Sequence, residues 1–280
     1  SYSSLKNYQS SAIDSSIFSK SIHLKDDDRE DQHLEESKDR TTIATMPKGA
    51  EIGSFFHRLM EQLLEQWVLG PFNYREWVLQ ESSNFGLNEA HSEHIYSWVH
   101  ATMNTELIQS CCLKYLTKRQ IIVEKPFLIP SDSLQPETLY SLIRGRGNDI
   151  DGKSSNNQSL PKGFLKGFID LVFEHDGKFF VLDYKTDTLK GENAYAPEKL
   201  NKAMLDLSFD IQGHLYSLAL HKYLSTYMSG YDYDRHFGGY IYVFVRGLES
   251  ENPKNGKYHH RPNIQTISDL MAELLPKEGV

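Results

Sequence analysis

Cysteine is nearly missing from this chain, and positive charge is in short supply. Its two cysteines, Cys111 and Cys112, are adjacent. Adjacent residues make a poor ordinary disulfide, so no disulfide framework is expected and a reducing, cytoplasmic setting fits. Lys and Arg number 30 against 38 Asp and Glu, a formal charge of −8. Because Lys and Arg normally supply most non-specific affinity for nucleic acid, general adhesion to it is excluded; any such contact must be local or shared with a larger assembly. No apolar run approaches the length of a membrane span, so no membrane association is expected. A Gly-rich loop followed by Lys-Ser or Lys-Thr is missing, which excludes an ATP-driven motor within this segment. A nucleophile-elbow serine is missing too, and the Cys and His residues lack the paired spacing of a zinc site. The first residue is Ser and nothing near it resembles a signal peptide, so a piece excised from a longer chain is expected.

What remains is ordinary for a folded protein: 280 residues, 39% apolar, with 16 Tyr and 14 Phe. The segment 1–48 reads as an N-terminal stretch with scattered apolar residues followed by an acidic linker, Asp26 to Asp39 being charge-rich and apolar-poor. A folded domain is expected over 49–280. Phe56, Met60, Leu63 and Trp67 repeat at helical spacing within Glu51–Val68, and a second helical stretch runs from about Asn88 to Leu116. Gln120 to Ile129 reads as a strand. Ser131 to Pro161, with Gly145, Gly147 and Gly152, reads as a long surface excursion. Lys199 to Tyr227 reads as one long helix with Leu207, Ile211, Leu215 and Leu218 on a stripe. Tyr240 to Val245 is a buried strand and Asn263 to Leu275 a closing helix. The order implies an α/β fold, a mixed sheet flanked by helices.

The chemistry concentrates in one hairpin. Lys166–Glu174 and Lys178–Lys185 flank Asp176-Gly177, a strong two-residue turn signal. Counting outward, His175 faces Lys178, Phe173 pairs with Phe180, Leu171 with Leu182, and Asp170 falls opposite Asp183. Alternation puts Lys185 on the face of Asp183, shared with Phe168, Val172 and Val181, while Ile169, Leu171 and Phe173 form a core face behind. Like charges at a cross-strand pair are destabilising unless something offsets them, and burying them unpaired is costly. Two carboxylates and an ammonium so placed suit a divalent cation and a phosphodiester; the plain alternative is a solvated sheet face.

These residues also carry a resemblance. Leu165-Lys166-Gly167-Phe168-Ile169-Asp170-Leu171-Val172-Phe173, Leu182-Asp183-Tyr184-Lys185, Leu215-Tyr216 and His236-Phe237-Gly238-Gly239 are similar to the nuclease domains of the RecB-like branch of the PD-(D/E)xK nucleases. The resemblance spans nearly the whole chain and is weakest in the acidic linker and the 131–161 excursion. It implies a restriction-endonuclease-like core and a Mg²⁺-dependent exodeoxyribonuclease of the exodeoxyribonuclease V type, Mn²⁺ also serving and Ca²⁺ binding without activity. It further implies DNA delivered by a helicase portion of the same parent chain, RecC and RecD as fellow subunits, RecA as a contact, and repair of double-strand breaks by recombination.

For single residues, the resemblance makes Asp170, Asp183 and Lys185 catalytic. Asp170, Asp183, the Tyr184 carbonyl and His57 become metal ligands, although imidazole is an unusual donor for Mg²⁺. Gln212 and Tyr216, four apart on a helix, match a Gln-x-x-x-Tyr motif that contacts DNA; otherwise such a pair caps a core. Glu124 and Glu61 form a second tier that binds or orients the metal or is merely solvated. The rival from another class is a non-catalytic docking module for RecC or RecA that keeps the nuclease fold.

Overall fold

The computed structural model describes residues 49–70, 72–131, 136–145, 163–248 and 252–274. The expected N-terminal segment and acidic linker lie outside these residues, as do the 132–135 and 146–161 parts of the excursion.

Five strands form one sheet in the order β1 (Ile121–Ser131), β2 (Gly163–His175), β3 (Lys178–Lys185), β4 (Phe237–Phe244), β5 (Lys257–His260). Neighbours are antiparallel except β3 and β4, which run parallel. The sheet is therefore mixed, as expected. β4 reads as an uninterrupted apolar run and is buried along its whole length, which is what a strand covered on both faces requires.

One face carries α1 (Ala50–Trp67), α2 (Tyr74–Asn84) and α3 (Glu89–Asn104). Ile52, Phe56, Leu59 and Leu63 of α1 pack there against Leu171, Phe173, Leu182 and Tyr184. The other face carries α4 (Pro136–Arg144), α5 (Pro197–Asp206), α6 (Phe209–Tyr227) and α8 (Ile264–Leu274), with Val172, Val181, Tyr240 and Tyr242 beneath them. The short α7 (Tyr233–His236) leads into β4. Gly213 gives up roughly 1 kcal/mol of helix propensity in the middle of α6. In return the Tyr240 ring lies so close that an added Cβ would stand 2.6 Å from it.

The hairpin reading holds up to the rung of Leu171 and Leu182, whereas the expected rung of Asp170 opposite Asp183 is not part of the ladder. His175 pairs with Lys178, Phe173 with Phe180 and Leu171 with Leu182. Asp176 and Gly177 have φ of 51° and 76°, the positive values that a type I′ turn needs. Other expectations need correction. The long helix is two, α5 and α6, because Ser208 adopts a left-handed φ of 58° between them, a conformation that interrupts helical hydrogen bonding. The second helical stretch ends at Asn104, with only a single 3₁₀ turn at Leu113–Tyr115 beyond it. The helix α2 and the strand β5 were not anticipated.

The 131–161 excursion is not all loop, since it contains α4. Arg144 at the end of α4 donates from Nε and Nη2 to the Asp210 carboxylate of α6, both at 2.6 Å, and from Nη2 to the Leu205 carbonyl at 3.0 Å. Both side chains of the pair are buried. Arg144→Met leaves Asp210 without its charge partner and is expected to cost about 3–5 kcal/mol, read as a fall in the urea midpoint. The double variant Arg144→Met/Asp210→Leu should recover most of that loss. An unchanged midpoint in the single variant would show that the pair contributes nothing.

Candidate active site

Local structure brings the acids together at an irregularity in β1 and β2. In a regular strand, alternate side chains share one face. Here Ile121 and Val123 pack with the core under α1, yet Phe127 and Ile129 pack with the core under α6. On β2, Leu171 and Phe173 face α1 whereas Leu165 and Ile169 face α6. Both strands thus invert their phase between the rungs Val123↔Leu171 and Lys125↔Ile169, where Glu124 and Asp170 stand. Glu124 takes a left-handed φ of 47°, rare for a non-Gly residue within a strand. This corrects two expectations: Ile169 belongs to the other core, and Phe168 is 57% exposed rather than sharing the charged face.

The regular ladder between β2 and β3 ends at Leu171↔Leu182. One residue further on, Asp170 Oδ2 accepts a hydrogen bond from the Tyr184 N–H at 2.9 Å. The same oxygen lies 3.3 Å from His57 Nδ1, whose ring reaches in from α1. His57 Nε2 lies 3.0 Å from the Tyr184 carbonyl. Asp183 is buried on the α6 side of β3, level with Tyr242, and its Oδ2 is 3.0 Å from Lys185 Nζ. That ammonium also rests over the rings of Phe209 at 4.2 Å and Tyr242 at 5.5 Å. Tyr242 donates to Gln212 Oε1 at 2.8 Å, and Gln212 Nε2 donates to the Tyr216 hydroxyl at 2.9 Å.

The electrostatics follow from crowding acids in a buried place. Burial and the neighbouring Asp170 push the Asp183 carboxyl up to about 7, against the pull of Lys185. Burial, Asp170 and Glu61 push Glu124 up to about 7. Glu61 is itself raised by burial and by Glu65. Burial would also raise Asp170, but the His57 beside it and the Tyr184 N–H hold it below its ordinary value. Burial pulls His57 down, and contact with Asp170 overcomes this and lifts it to about 9. Protonated His57 therefore donates from both nitrogens, bridging Asp170 and the Tyr184 carbonyl as a local cation.

His57, Asp170, Asp183, Tyr184 and Lys185 are thus brought together, and Glu124 and Glu61 border them. Gln212 and Tyr216 join through Tyr242. Tyr242 and Phe209 were not singled out from the sequence; the signal available was two aromatics flanking the site, one on the buried strand and one opening α6. Among the described residues, no three His, Cys, Asp or Glu side chains already surround one point. The donor set nevertheless fits a hard divalent cation. Asp183 Oδ2 is buried without an aligned hydrogen bond, and two carboxylates with a backbone carbonyl are the oxygen donors that such ions take.

The family model of the PD-(D/E)XK nuclease superfamily matches residues 30–276. "RecBCD enzyme subunit RecB" of Escherichia coli K12 is 37% identical over 235 residues, 81% of this chain and 19% of that protein. Its namesake from Buchnera aphidicola subsp. Schizaphis graminum is 31% identical over 256 residues, 89% of this chain and 21% of that protein. In Mycobacterium tuberculosis the protein of that name is 41% identical over 90 residues, 31% of this chain and 8% of its own length. The chain thus spans about a fifth of the length of the first two relatives.

Proposed function

Because the chain belongs to the PD-(D/E)XK nuclease superfamily, we propose that residues 49–280 form a metal-dependent DNA nuclease domain of the exodeoxyribonuclease V type, preceded over 1–48 by an N-terminal segment and an acidic linker. The observation that carries this reading is the buried, charge-crowded Asp183 beside Asp170 and Lys185. A buried acid pushed up to about 7 beside a second carboxylate and an ammonium is the mark of a candidate functional group.

Asp170, Asp183, the Tyr184 carbonyl and His57 would hold Mg²⁺, or Mn²⁺ in its place. When bound, the ion supplies Lewis acidity and lowers the pKa of a coordinated water. Asp170 is oriented by the Tyr184 N–H and by His57. Lys185, its ammonium steadied by Phe209 and Tyr242, stabilises negative charge on the reacting phosphate. Gln212 and Tyr216 are held by Tyr242 where a backbone phosphate would pass, and Glu124 and Glu61 tune the site's charge. The products are the two ends of an in-line phosphodiester hydrolysis. The relatives' printed name supports a place as a subunit of a RecBCD-type enzyme; a helicase–nuclease assembly for recombinational repair, with RecC and RecD as subunits, RecA as a contact and the cytoplasm as its compartment, is part of the same proposal. Among the described residues no helix is long and apolar enough to cross a membrane.

The test is incubation of the chain with circular single-stranded DNA in Mg²⁺, in Ca²⁺ and in EDTA, at low salt because phosphate contacts weaken as salt rises. Cutting in Mg²⁺ alone is expected. Folded protein that cuts in none of these, even when assembled with its partner subunits, would favour the docking-module reading.

A further inference from the structure

Beyond the phase inversion at Glu124 and Asp170, β1 and β2 continue as a two-stranded ribbon with one uncovered face. Its rungs pair Pro126 with Phe168, Leu128 with Lys166 and Pro130 with Phe164. Phe168 is 57% exposed, Leu128 54% and Phe164 43%. The opposite face of the ribbon is spoken for, since Phe127 packs edge-on against Tyr216 and Ile129 lies in the core. Exposed aromatics separated by a single lysine on one strand face are costly to leave in water, and contiguous apolar patches of this kind mark contact sites.

Three features point to the occupant. The face lies next to the candidate active site, because Phe168 precedes Asp170 by two positions on the same strand, a span of about 7 Å. Lys166, exposed between the two phenylalanines, supplies a positive charge for a backbone phosphate. Finally, β1 is the sheet's edge strand, and prolines at 126 and 130 remove ladder donors, which disfavours addition of a further strand. The ribbon therefore offers its face, not its edge. A ligand with repeated flat apolar rings and a regularly spaced negative charge matches that face, and in a duplex those rings are hidden in the stack.

We propose that Phe168 and Phe164, with Lys166 between them, form a stacking platform for unpaired bases of single-stranded nucleic acid next to the nuclease site. This rests on the nuclease reading for its direction toward Asp170, and it adds that the strand must be single at that point. Leu128 and the two prolines widen the apolar floor, and the Lys166 ammonium pairs with a phosphate between two stacked bases.

The test measures binding of a fluorescent oligothymidylate and of a blunt duplex to the chain in EDTA, where no cutting occurs. Phe164→Ser/Phe168→Ser is compared with Phe164→Tyr/Phe168→Tyr, thermal melting confirming that both fold. Stacking is worth about 1–3 kcal/mol per base, so the serine pair should weaken oligothymidylate binding roughly 10- to 100-fold, taking the lower part of that range. The tyrosine pair should retain it, and duplex binding should not change. Equal affinity of the serine variant, or no oligothymidylate binding by the unaltered chain, overturns the platform. So does a serine variant that keeps its oligothymidylate affinity but loses a partner subunit on co-purification, which assigns the face to a protein. Phe-dependent binding without any Mg²⁺-dependent cutting, even in the assembly with its partner subunits, would sink the nuclease reading and leave the platform standing. Cutting with Phe-independent binding would do the reverse.

Discussion

Asp183→Asn is expected to reduce DNA cleavage by three orders of magnitude or more, about 4 kcal/mol of transition-state stabilisation, while making the folded protein more resistant to urea at pH 8. Asp183 Oδ2 is buried and makes no aligned hydrogen bond. Burial and Asp170 outweigh Lys185, pushing its carboxyl from 3.8 up to about 7. A folded-state value above the unfolded one gives stability that is fully present below about 4 and is lost as the pH rises through about 7. Over that interval the unaltered protein therefore loses stability from this residue, and the asparagine variant should not. Asn keeps the size and one acceptor for Lys185, whose ammonium retains the rings of Phe209 and Tyr242. Two measurements decide the matter: initial rates on single-stranded DNA in Mg²⁺, and urea midpoints at pH 5 and 8. Residual cleavage within tenfold of the unaltered enzyme would remove Asp183 from the chemistry. A midpoint that falls more at pH 8 than at pH 5 would show instead that its charge is well compensated.

The hairpin was legible because its determinants are local. Asp176-Gly177 sets the turn, and from the turn a count along two strands places Leu171 against Leu182 and brings Asp170 to the level of β3. The phase inversion was not legible, because it depends on the left-handed backbone of Glu124, and nothing in Val123-Glu124-Lys125 announces one. Period-2 reasoning therefore assigned Ile169 and Phe168 to the wrong environments. The break at Ser208 was hidden for a similar reason: the apolar stripe continues through Leu207 and Ile211, while the interruption resides in one dihedral angle. Tertiary partners were the least visible. Arg144 lies 66 residues from Asp210 in sequence, and no local pattern links an arginine in a polar excursion to an acid opening a distant helix. The aromatic seat of Lys185 likewise exists only once β4 and α6 have packed on β3.

Metal affinity is expected to climb steeply with pH, because protonated His57 bridges two of the proposed metal ligands. Its two nitrogens lie 3.3 Å from Asp170 Oδ2 and 3.0 Å from the Tyr184 carbonyl, the two groups that would otherwise face the ion from that side. Contact with Asp170 keeps the imidazole protonated up to about 9. Ligands must be deprotonated before they coordinate, so binding releases protons. With His57 as a ligand, the apparent affinity for Mn²⁺ or Mg²⁺ should rise about tenfold per pH unit up to 9, and more steeply below about 7, where Asp183 must also lose its proton. His57→Ala removes that competing cation together with one donor. Its affinity should be lower at pH 9 and climb less steeply between pH 7.5 and 9, since only the acids that His57 had held down still have protons to lose. Calorimetric titration of the metal in two buffers of different ionisation enthalpy reads the released protons directly. Release of close to one proton at pH 8 by the unaltered protein, and of distinctly fewer by His57→Ala, is the expected pair of results. Equal release by both would show that the imidazole neither blocks nor joins the metal, and would leave Asp170, Asp183 and the Tyr184 carbonyl as the ligand set.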